Sequence, residues 1–129
     1  MEMSQVAKKY LTAFFGNAEI PGGLSYQKAL GQCNFDWKIG RLQRIDILLD
    51  QIREKQKPDF DDFLSVHANQ NFLYVLCFYV GVTVAKNSGQ AIEWQAYKDV
   101  IAAEPSLAAV WKPVFETSVA CMLRKPDGT

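Results

Sequence analysis

His67 is the chain's only histidine, so acid–base chemistry by an imidazole has to run through it and a histidine-rich metal site is excluded. General-base work would need a carboxylate partner such as Asp61 or Asp62. A histidine in the polar approach to a helix start otherwise serves a cap or a loop, and that is the expectation. Asp46 and Asp50 stand four residues apart, with Arg53 and Lys57 continuing at three and four, so on a helix the set shares one stripe. The spacing suits a divalent cation or an acid–base pair. It is also the pattern of a solvated flank, with Asp50 and Arg53 as a surface ion pair of roughly a few tenths of a kcal/mol. No second carboxylate pair on another long helix completes a di-metal constellation, which favours the solvated flank.

Cys33, Cys77 and Cys121 are odd in number, far apart, and show neither CxxC spacing nor a disulfide framework. They point to a reducing, cytoplasmic compartment. None has a histidine beside it in sequence, and Cys77 lies within an apolar run where a small core residue is expected. Pro21-Gly22-Gly23 lacks the GxxxxGK[ST] spacing of a phosphate loop and has no strand before it, so it reads as a turn. There is no GxSxG elbow. No catalytic, cofactor-binding or metal-ligating residue is assigned.

Aromatic residues near element boundaries are the better candidates for contact with a partner: Trp37, Trp94 and Trp111, with Tyr26 and Tyr97. At 12% aromatic content most of them must fill the core, leaving one or two for the surface. The stretch from Gly16 to Ser25, with Gly22 and Gly23, is where an exposed patch is expected.

These residues need a scaffold. A chain of 129 residues with 49% apolar residues can bury a core without disulfides or metal, and residues 1–129 read as one domain. Fourteen basic against fourteen acidic residues, net charge +0, leave no electrostatic footprint for nucleic acid. The N-terminal MEMSQVAKKY has no apolar signal core. Phe72 to Ala85 would span about 21 Å as a helix, short of the roughly 30 Å hydrocarbon core, so a buried central helix is expected rather than a membrane span.

Along the chain, Ser4 can cap a helix carrying Val6, Tyr10, Leu11, Phe14 and Phe15, with Gly16 as its left-handed stop. Ser25 can cap a short helix through Leu30. From Trp37 to about Lys55, Ile39, Leu42, Ile45, Leu49 and Ile52 step as one helical face. Pro58 ends it, and Asp59 with Asp62 resembles a capping pair for a short helix through Val66. Asn69, Gln70 and Asn71 open the Phe72 to Lys86 helix, and Asn87-Ser88-Gly89 stops it. Ala91 to Tyr97 suits a short strand, Ala96 to Ala103 and Pro105 to Trp111 short helices, and Phe115 to Leu123 a second strand. Asp127-Gly128 is a hairpin turn with no returning strand. The chain is therefore expected to be the N-terminal part of a longer protein or to end in a frayed tail.

Leu42 to Asp50, Phe72 to Gly81, Trp94 and Phe115-Glu116-Thr117-Ser118, taken in order, resemble a group of uncharacterised small bacterial proteins over roughly residues 37 to 123. The shared positions are mostly core positions. The resemblance implies a bacterial origin and a helical bundle with a small sheet, and it carries over no site.

The expected fold is α+β and mainly helical, about four helices around a central apolar helix with a small antiparallel sheet. The expected function is binding to another protein, as an inhibitor or immunity-type factor or as a module of a larger protein, without cofactor, nucleic acid or membrane. The alternative is a small enzyme or ligand-binding protein with a pocket near His67.

Overall fold

The computed structural model describes residues 2–56, 59–110, 112–114 and 118–124. Pro58, Trp111, Phe115 to Thr117 and the Asp127-Gly128 turn lie outside the described residues.

The apolar run becomes α5 (His67–Asn87), 21 residues long and so about 31 Å from end to end. It starts five residues before Phe72, the expected first residue. Val66 is its N-cap, in an extended conformation. Asn69, Gln70 and Asn71 therefore sit inside the first turns, and their side chains reach other segments. Asn69 Nδ2 donates to the Phe63 carbonyl at 3.0 Å and Gln70 Nε2 to the Leu64 carbonyl at 2.6 Å. At the far end Gly89 adopts φ +65 and the Gln90 amide donates to the Ala85 carbonyl at 2.9 Å, the expected stop.

The extra length corrects one expectation. By length and composition α5 is able to cross a bilayer, so shortness no longer argues against it; 44% of its most apolar window is buried inside the protein. Phe72, Val75, Phe78 and Tyr79 have zero exposure, as do the polar Asn71 and Thr83.

Around α5 lie α1 (Met3–Phe15), α2 (Gln27–Gln32), α3 (Leu42–Gln56) with a 3-10 turn at Ile39–Arg41 before it, and α4 (Phe60–Leu64). The chain continues through β1 (Ala91–Ala96), α6 (Tyr97–Ala103), a 3-10 segment at Pro105–Ala109 and β2 (Val119–Arg124). The mainly helical α+β class holds. The strands pair antiparallel, from Ala91 with Arg124 to Ala96 with Val119.

Several local expectations change. Ser4 is not a cap: Glu2 is the N-cap of α1 without a side-chain bond, and the Ser4 hydroxyl turns to β1. Gly16 has φ −88; the left-handed residue is Asn17 at φ 55, which a short polar side chain tolerates. Ser25 does not cap α2, whose N-cap is Tyr26 at φ 58; its hydroxyl donates to Asn69 Oδ1 instead. On α3 the buried face is Ile45, Leu48 and Ile52, whereas Leu49 is 38% and Ile39 53% exposed. Leu48 and Leu49 satisfy the helical period equally well, and packing into the main core cluster selects Leu48. Asp59 does cap α4, accepting from the Asp61 and Asp62 amides at 3.0 and 3.2 Å.

Candidate functional site

The segment joining α1 to α2 is held by one buried side chain. Asn71 Nδ2 donates to the Pro21 carbonyl at 2.9 Å and the Gly23 carbonyl at 2.7 Å, and its Oδ1 accepts from the Tyr10 hydroxyl at 2.7 Å. With zero exposure these bonds form away from water, where an unmade partner would be costly. Burial raises the Tyr10 phenol above its ordinary value, with Tyr74 adding to the shift.

The turn that Asn71 secures puts Gly22 at φ +91 and Gly23 at φ +88, conformations glycine adopts without penalty. Gly22 lies flat against His67: a Cβ there would stand 2.5 Å from His67 Nδ1. The loop, the histidine and α1 border a half-open cavity of about 250 Å³ lined by Val6, Lys9, Tyr10, Ala13, Ile20, Pro21 and His67. Val6, Lys9, Tyr10 and Ala13 are an i, i+3, i+4, i+7 stripe of α1. A wider trough of about 600 Å³ continues along the next stripe, where Gln5, Lys8 and Thr12 join Lys9, Ala13 and Ala18.

His67 is exposed and, among the described residues, makes no hydrogen bond or ion pair with a carboxylate or thiol. Asp46 and Asp50 are exposed on α3, and Asp50 pairs with Arg53. They are not brought to His67, and no cluster of three metal-binding side chains occurs among the described residues.

The tryptophans separate. Trp94, expected at the surface, is only 7% exposed; its ring meets Phe78 edge-on at 4.9 Å and covers Gly81, where a Cβ would come within 2.4 Å of the ring. Trp111 lies outside the described residues. Trp37 is half-buried with a left-handed backbone at φ 68, a strained state for a bulky residue. Surrounding groups hold it there: its amide donates to the Tyr79 hydroxyl at 3.1 Å, its carbonyl accepts from Asn87 Nδ2 at 2.8 Å, and Lys86 Nζ lies 4.9 Å from its ring centre.

The two sheet edges differ. The Tyr97 amide donates to the Ser118 carbonyl at 3.2 Å, which makes Trp94 and Cys121 a pair whose backbone groups point outward. On β1 α1 meets that outward edge at Trp94: the Trp94 amide donates to Ser4 Oγ at 2.9 Å, and the Ser4 hydroxyl reaches the Trp94 carbonyl at 3.5 Å. On β2 the outward backbone groups of Val119, Cys121 and Leu123 have no hydrogen-bond partner among the described residues. Cys77 and Cys121 are both exposed. The Cys77 thiol is nevertheless pushed up by burial of its sulfur and by the nearby Cys121.

Sequence reasoning missed Asn71 and Ser4 as positioning residues, reading both as helix openers. One signal existed: Asn71, Val75 and Tyr79 recur at four-residue steps and all have zero exposure, so Asn71 continues the apolar stripe. Comparisons with family models, curated proteins and solved structures find no match.

Proposed function

We propose that this protein works by binding another protein, through addition of a partner strand to β2. The observation that carries the reading is the asymmetry of the sheet: α1 engages the outward backbone of β1 at Trp94 through Ser4, whereas the outward groups of β2 have no partner among the described residues. An apolar edge strand with unpaired backbone groups is a template for another chain, and proteins that do not use such edges cover or charge them. Here Val-Ala-Cys-Met-Leu runs uncharged until Arg124. The role fits an inhibitor or immunity-type factor, or a module of a longer protein. The three unbridged cysteines support the accompanying reading of a reducing, cytoplasmic setting.

The test compares the wild type with Leu123→Pro, which removes an outward amide while leaving the β1 ladder its donors. Affinity capture from the source lysate should recover a stoichiometric partner with the wild type and lose it with the variant, both showing the same circular dichroism. A monomer that recovers no such partner, or a partner indifferent to Leu123→Pro, overturns the reading. The rival, a ligand-binding protein or enzyme, retains one favourable observation: His67 lines the 250 Å³ cavity.

A further inference from the structure

We propose that the groove between α1 and the Pro21-Gly22-Gly23 turn is a second docking site, which takes an apolar side chain from an acidic segment of a partner protein. Its dimensions select the class of ligand. The walled section of about 250 Å³ falls below the roughly 300–1,000 Å³ of small-molecule pockets and suits one large side chain. The trough beyond it is wide, about 600 Å³, but five of its six lining residues come from α1 and only Ala18 from elsewhere. A small molecule there would be held from one side. A polypeptide brings its own length and needs only an anchor in the deep section.

Charge selects the partner's chemistry. Lys8 and Lys9 are the ionic groups of the two linings beside the His67 imidazole, and no aspartate or glutamate lines either section. Glu19 is the loop's one acid and lies outside both linings. Among the described residues neither lysine is engaged in an ion pair, so both ammonium groups are available to carboxylates flanking the anchor. The walls are fixed before binding, because Asn71 ties the turn to α5 through both carbonyls and to α1 through Tyr10. A preorganised groove avoids part of the ordering entropy of association.

A phage-displayed library of random dodecapeptides, selected on the intact protein, tests the site. Enriched peptides should carry one Leu, Phe or Trp with two or more Asp or Glu within three residues. Binding of a labelled winner should weaken about tenfold in Lys8→Glu/Lys9→Glu, two exposed positions that leave the fold alone, and fall again as salt is raised. Neutral or basic winners, or winners indifferent to the lysine reversal, overturn the proposal. So does the absence of any winner, including the case in which the protein instead binds anionic phospholipid vesicles. Leu123→Pro is run beside it: peptides lost in that variant but kept in the lysine variant bind the β2 edge, which refutes the groove and leaves the strand-addition reading standing.

Discussion

The two sides of α5 are built on different principles. On the loop side, Ile20, Leu30, Cys33, Ile45, Leu48 and Ile52 pack against Phe72, Val75, Leu76 and Tyr79, and the covering loop is fastened by polar bonds from Asn69 and Asn71. On the sheet side the buried set is Ala7, Phe78 and Trp94, held by shape, with the Trp94 ring lying over a position that has no side chain. A polar clamp fails when an atom is removed and a steric seat when one is added. At Asn71 and at Gly81, then, the two sides should break under opposite kinds of substitution.

The largest effect is expected on the loop side. Asn71→Ala strips the Pro21 and Gly23 carbonyls of their donor and the Tyr10 hydroxyl of its acceptor, all in a buried setting. A loss of about 3 kcal/mol in urea unfolding is expected, at the upper end of the range for orphaned buried polar groups, together with faster proteolysis of the loop at 17–24. A loss below about 1 kcal/mol would show that water replaces the clamp.

On the sheet side the informative change adds one methyl group. Gly81→Ala places a Cβ 2.4 Å from the Trp94 ring, so the indole must move, at a cost of about 1–3 kcal/mol and with a shifted tryptophan emission. Gly31→Ala is the control, since nothing lies within 4 Å of its Cβ and a helical alanine there should stabilise by about 0.4–1 kcal/mol. Equal responses at the two glycines would dissolve the distinction between the sides.

The comparison also explains what was legible in the sequence. Apolar periodicity placed α1, α3 and α5, and the strand-prone segments placed β1 and all of β2 but Arg124 with the correct antiparallel pairing, because period and turn residues are local properties. The polar residues were misread wherever their partner is distant. Ser4 and Asn71 have the residue types of helix starts, and nothing nearby reveals that Ser4 bonds to a residue 90 positions away or Asn71 to one 50 positions away. Trp94 looked like a surface anchor because its boundary position is local information, whereas its burial depends on Gly81 from another element. Gly22 and Gly23 lie in the loop expected to contact a partner, but the loop residues that line the groove are their neighbours Ile20 and Pro21, opposite α1 and His67.

The smallest effect concerns the hydroxyl that links α1 to the clamp, and it is read through pH. Burial holds the Tyr10 phenol above its ordinary value of 10.0, with Tyr74 acting in the same direction, because the phenolate would lose solvation there. The folded state then holds this proton more tightly than the unfolded chain does. The associated stability is complete below the unfolded value and disappears as pH rises through the higher folded one. Tyr10→Phe leaves Asn71 Oδ1 without its donor and should lose about 1 kcal/mol at pH 7. Its stability should then fall less steeply than that of the wild type above about pH 10, since the remaining tyrosines are common to both proteins. Urea midpoints at pH 7, 9 and 10.5 measure the difference. Parallel alkaline slopes would mean that the Tyr10 hydroxyl is solvated in the folded state, and the clamp would then end at Asn71 without reaching α1.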